Sequence, residues 1–128
     1  MKVMKRKALL LVVSSFALAA VMGGSLGLAF AGQRGALSSG FNLVGGPLSD
    51  SVTPQKFVSC LGTSWDAVYI WDGSHQQWQH YFRAAPAYVN GTNVGGISAI
   101  PQFAGVVVIM NQAVSNPFLP DSSSEACP

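Results

Sequence analysis

The sequence predicts a mainly β domain, a small antiparallel sheet or sandwich carrying one short α-helix. Three observations lead there. Runs rich in β-branched and aromatic residues recur at Phe41–Val44, Val68–Trp71, Trp78–Phe82 and Val106–Met110. Clusters with turn chemistry separate them, including Gly45-Gly46-Pro47 and Asp72-Gly73-Ser74-His75. Only one stretch, Thr53 to Gly62, has both a helix start and a helix stop.

Taken in order, Phe41-Asn42-Leu43-Val44 reads as a short strand, ended where Pro47 removes a ladder donor. In the helix, Thr53 is the N-cap, Pro54 occupies the first helical position, where an N–H would find no intrahelical acceptor, and Gly62 follows the last residue. Phe57, Val58 and Leu61 share one apolar face, expected to pack on a sheet. The strongest hairpin signal runs from Ala67 to Phe82. Alternation puts Val68 and Ile70 on one face and Tyr69 and Trp71 on the other; on the return strand Trp78, His80 and Phe82 oppose Gln77, Gln79 and Tyr81. One aromatic face is therefore expected to remain partly exposed. Ala87-Tyr88-Val89 offers a further short run before a turn at Asn90-Gly91, and Ile97 to Ile100 another, ended by Pro101. Gly105 to Met110 is continuously apolar and predicts a central strand buried on both faces.

Ahead of this domain, Lys2, Lys5, Arg6 and Lys7 precede an uncharged, mostly apolar stretch from Ala8 to Ala31 that closes on Ala29-Phe30-Ala31. A basic region, an apolar region and a small-x-small site are the three parts of a secretory signal peptide, predicted to be cleaved after Ala31. A retained membrane anchor is the alternative, since the stretch is long enough to span a bilayer; Gly23, Gly24, Ser25 and Gly27 weaken a helix in its second half and favour cleavage. The organisation expected is a signal peptide at 1–31, a flexible leader at 32–40, a β-rich domain at 41–114, and a Pro/Ser-rich tail at 115–128 tied back by a disulfide. The location implied is secreted or cell-surface.

Removing the signal changes the charge. The full chain carries a formal +2, but Arg34, Lys56 and Arg83 then stand against Asp50, Asp66, Asp72, Asp121 and Glu125, a net −2. Neither a nucleic-acid footprint nor a polybasic membrane patch remains, because both need clustered Lys and Arg. Cys60 and Cys127 are the only cysteines. In an oxidising compartment an even count in a small domain favours an intramolecular disulfide over free thiols or an intermolecular bridge.

Chemistry-bearing residues are few. Asp66 and Asp72 with His75 or His80 are the only acid/base candidates, and Asp72 before Gly73 is more economically a turn residue. A hydrolase resting on Asp66, Asp72 and His80 is accordingly the least favoured reading. His75 and His80 have no third ligand at metal-site spacing, so neither metal nor cofactor is expected. Tyr69, Trp71, Trp78, His80 and Tyr81 form the candidate binding set. Flat rings beside amides and imidazole suit sugars, whose apolar faces stack while hydroxyls find partners; the same rings serve cross-strand pairing in a small β domain. Asn90-Gly91-Thr92 matches a glycosylation sequon and is equally a turn signal.

Phe41-Asn42-Leu43-Val44 resembles the G-W-N-L-I/V opening of small β-rich domains found, often in tandem, in large secreted and cell-surface proteins of bacteria and archaea. Tyr69-x-Trp71-Asp72 followed by Trp78-x-x-Tyr81 is similar to their central hairpin. Ile97, Ile100 and Pro101, with Gly105 and Val106 to Val108, are similar to their closing strand, valines standing where that strand carries Tyr-Trp. The resemblance covers Phe41 to Met110 and implies an antiparallel β domain without catalytic residues to carry over. The two cysteines depart from the tandem pattern. The function expected is a non-enzymatic structural or interaction module meeting a cell-envelope protein or polysaccharide, without nucleic acid and without membrane association after cleavage; the alternative is a carbohydrate-binding module using the aromatic hairpin face.

Overall fold

The computed structural model describes residues 32 and 34–128, within a compact unit spanning Ala31–Pro128. The predicted signal segment, 1–31, lies outside the described residues. Four strands, β1 (Gly40–Gly45), β2 (Trp65–Asp72), β3 (Gln77–Phe82) and β4 (Gly105–Met110), form one antiparallel sheet in the order β1-β4-β2-β3. One helix, α1 (Pro54–Phe57), and three 3-10 turns complete the unit. The chain is thus mainly β, built on a sheet rather than a sandwich.

β4 takes the central place because its valines and isoleucine tolerate neighbours on both edges. It pairs Val108 with Asn42 of β1 and with Val68 of β2. Along one face of the sheet, Val44, Val68, Ile70, Val106, Val108 and Met110 meet Val52, Phe57, Val58, Leu61, Ile97, Ile100 and Leu119, which arrive from the helical turns, the loops and the tail. The apolar face predicted for the helix is therefore buried against the sheet.

The helix itself is shorter than its sequence signals. Thr53 caps it as expected, Oγ1 accepting from Lys56 N at 3.2 Å. After Phe57, however, the Ser59 hydroxyl donates to the Lys56 carbonyl at 2.7 Å, competing for the acceptor that a further α-turn needs. The chain tightens into a 3-10 turn at Ser59–Leu61 and leaves at Gly62.

A β-bulge between Trp65 and Ala67 shifts the register of β2 against β4. The extra residue turns Trp65 to the core side, opposite Met110, where its ring stacks on Tyr81 at 6.1 Å. The bulge is held from outside: Asp66 Oδ1 accepts from Asn111 Nδ2 at 2.9 Å, Arg83 N donates to Asp66 O at 2.9 Å, and Arg83 Nε donates to Trp65 O.

Three expectations need correction. The 32–40 stretch is not a free leader: Leu37 is buried and bridges Val114, and Arg34 pairs with Asp121 at 2.8 Å. Residues 87–100 form no strand but two 3-10 turns, Ala87–Asn90 and Thr92–Val94, followed by single bridges. Here Asn90 decides the conformation, since its amide accepts from Phe82 N and donates to Phe82 O, both at 2.8 Å, clamping the outer edge of β3. Next to that clamp, His80 N donates to Gly95 O and Ile97 N to His80 O, both at 3.0 Å. β4 is less completely buried than expected: Val107 is buried on its outer face, but Ile109 beside it is only half-buried. The tail is tied back as expected, with Cys60–Cys127 bonded at a Cα separation of 5.4 Å, and it also joins the core through Leu119 and buries Pro117, Pro120 and Asp121.

Candidate functional site

The second face of the sheet has no covering layer among the described residues. Alternation that sends Val106, Val108 and Met110 into the core sends Val107 and Ile109 outward, with Phe41 and Leu43 from β1, Tyr69 and Trp71 from β2, and Trp78, His80 and Phe82 from β3. Exposure is large at the margins, 69% for Phe41 and Leu43, 48% for Trp71 and 54% for Trp78. Val107, in the middle, is buried among these neighbours.

Aromatic pairs organise this face. Trp71 and Trp78 stand directly opposite, edge to face, with centroids 5.3 Å apart at 68°. Tyr69 meets Phe82 edge-on at 5.9 Å, and His80 leans on Phe82 at 4.9 Å. His80 Nε2 donates to the Val89 carbonyl at 2.8 Å, which fixes the ring's tilt. Between the pairs, Phe41, Tyr69, Trp78, Val107 and Ile109 line a shallow cleft of about 310 Å³. Its only polar side-chain atoms are the Tyr69 hydroxyl and the Trp78 indole N–H.

Of the five residues predicted to bind, Tyr69, Trp71, Trp78 and His80 meet on this face. Tyr81 does not: it points to the core and stacks on Trp65. Phe41, Leu43, Val107 and Ile109 join the surface without having been singled out. Their signal was the same period-two alternation, usable only once the far side of β4 is seen to carry no second layer among the described residues.

The acid/base candidates separate. Asp66 sits at the bulge and Asp72 at the opposite end of β2, ~20 Å away along an extended strand, while His80 is tied to Val89. Asp72 organises the hairpin turn: Oδ1 accepts from Ser74 Oγ at 2.7 Å, and from Ser74 N and His75 N, and Oδ2 meets His75 Nδ1 at 2.7 Å. The bonds from Ser74 and His75 hold its carboxyl down at a pKa of about 2. Both the Ser74 hydroxyl and Asp72 approach the same ring nitrogen of His75, so these three do not form a nucleophile, base and orienting acid in series. Among the described residues no three His, Cys, Asp or Glu side chains gather as a metal site, and no helix is long and apolar enough to cross a membrane.

No protein family, no curated protein and no solved structure matches this chain.

Proposed function

We propose that the protein is an exported, non-enzymatic interaction module whose open sheet face docks on an apolar surface of a cell-envelope protein. The observation that carries this reading is the uncovered face itself. Four strands at ~4.8 Å spacing and six residues at ~3.3 Å give a surface of roughly 400 Å², the size at which an apolar patch on a monomer is commonly functional. It supplies about half of the ~800 Å² per partner of a standard stable interface, which suits a modest, reversible contact or one extended by the adjoining Tyr88 and Val94. The cleft's poverty in hydrogen-bonding groups favours an apolar protein surface, since a sugar needs donors and acceptors for its hydroxyls. The Cys60–Cys127 bond fits an oxidising, extracytoplasmic location, as does the signal-like N-terminus.

The test is retention by envelope fractions of full chain expressed in a secreting host. Leu43→Lys and Trp78→Lys are expected to fold, retain the disulfide and lose retention, whereas Gln77→Lys, outside the open face, keeps it. A wild-type protein that stays monomeric and is not retained sinks the proposal. A second reading, binding of polysaccharide, is favoured by the half-exposed Trp71–Trp78 pair. It predicts pull-down on insoluble polysaccharide that Trp71→Ala and Trp78→Ala abolish while Leu43→Ala does not.

A further inference from the structure

Resting on the export reading above, we propose that hydrolysis of the Ala31–Gly32 bond makes Gly32 the mature N-terminus, and that its new ammonium group forms an ion pair with the buried Asp121 carboxylate. Processing then completes the fold rather than merely releasing it.

Gly32 N already donates to Asp121 Oδ2 at 2.6 Å in a buried setting. The Asp121 side chain is only 9% exposed, and its other oxygen accepts from Arg34 at 2.8 Å. A second carboxylate is close by, because Glu125 Oε2 accepts from Asp121 N at 2.6 Å. While the nitrogen of residue 32 belongs to a peptide, Arg34 pairs with Asp121, Glu125 lies on the Asp121 backbone N–H, and the three side chains together carry a net −1. In the hydrolysis, water gives its hydroxyl to the Ala31 carbonyl carbon, which leaves as a carboxylate, and the Gly32 nitrogen departs as an amine. With an ordinary α-amino pKa of about 8 it takes up a proton at neutral pH. The cluster then balances, two positive groups against two negative, and a hydrogen bond from an uncharged amide to the Asp121 carboxylate becomes an ion pair in a site of low water access.

The position is selected by more than charge. Leu119 N donates to Gly32 O at 2.7 Å and Arg34 N to Pro117 O at 3.1 Å, laying this segment along the tail. Before cleavage residue 32 has φ +82°, which favours glycine, and a Cβ built there would approach Phe118 Cζ to 2.5 Å, so a larger residue would have to displace that ring. The small residues Ala29 and Ala31 mark the same bond from the sequence side. The sequence places the cleavage at this bond, and the packing holds the residue that follows it.

The experiment starts from full chain exported by a secreting host and reads the N-terminus by mass spectrometry. A product starting at Gly32 is expected. Inserting one serine between Ala31 and Gly32, so that the exported protein begins one residue earlier, should lower Tm by about 5 °C. Asp121→Asn should cost a similar shift in the natural product and much less in the serine-extended one. Acetylation of the terminal amine should be several-fold slower at Gly32 than at the added serine. If the product begins at Gly32 but Tm and acetylation rate match those of the extended protein, the ion pair is refuted and export stands. If the product begins elsewhere, or retains Met1, the export reading fails first. Should Asp121→Asn not accumulate, the acetylation comparison decides.

Discussion

Trp78 and Ile100 are both large and apolar, yet their environments set opposite expectations. Ile100 is fully buried against the sheet, so Ile100→Ala opens a cavity and should cost about 2–5 kcal/mol in urea unfolding. Trp78 stands half in solvent and contributes chiefly its edge-to-face contact with Trp71, so Trp78→Ala should cost about 1 kcal/mol while erasing any binding through the open face. Equal losses of stability would mean that the ring is structural. Asp72 offers a titration test. Its carboxyl is depressed to about 2, first by the Ser74 hydroxyl, so the turn's contribution is full above the ordinary carboxylate range and is lost as pH falls through about 2. NMR titration of Ser74→Ala should find the Asp72 pKa moved back up towards its ordinary value; no movement would show that the hydroxyl is not the cause.

At the scale of elements, what could be read from sequence followed local periodicity and local caps. The hairpin faces, the central strand and the Thr53 cap depend on neighbours in the chain, and alternation places Tyr69 and Trp71 away from Val68 and Ile70 without help from the rest of the fold. The bulge was not legible, because a strict period of two leaves Trp65 beside Tyr69, and only the core's need for a large ring opposite Met110 reverses it. Nor were the 3-10 turns at 87–94 legible: Ala87-Tyr88-Val89 has strand composition, but the Asn90 amide takes the backbone groups of Phe82 that another strand would need. Half the candidate site was hidden for a related reason, since alternation does not reveal that the face carrying Val107 and Ile109 has no second layer among the described residues. Asn90→Ala removes both bonds to Phe82 and should cost about 1–3 kcal/mol, with amide exchange at Phe82 accelerating more than at Val108; uniform acceleration would indicate global destabilisation instead. The same bonds commit the amide that a glycan on the Asn90 sequon would need.

For the whole molecule, the decisive ties join segments far apart in sequence. Cys60 and Cys127, separated by 67 residues, close most of the compact unit into a loop, and the chain-entropy account assigns such a closure about 4 kcal/mol. Cys60→Ser with Cys127→Ser should lower unfolding stability by about that amount while leaving the sheet intact by circular dichroism, because Leu119 and Asp121 hold the tail independently. Loss of β structure in the double variant would show that the bridge, not the packing, holds the tail.

The strand order also dictates when this protein can fold. β1 leaves the ribosome first, but its partner is β4, the last strand made. Until residue 110 has emerged, β1 has no ladder to join, and β2 and β3 can form only an isolated hairpin, marginal in water. The sheet must therefore assemble late and through distant pairings, which places folding on the slow, millisecond-to-second side of small domains. A chain that stays open until its final strand arrives is also one that can still be threaded lengthwise through a narrow channel.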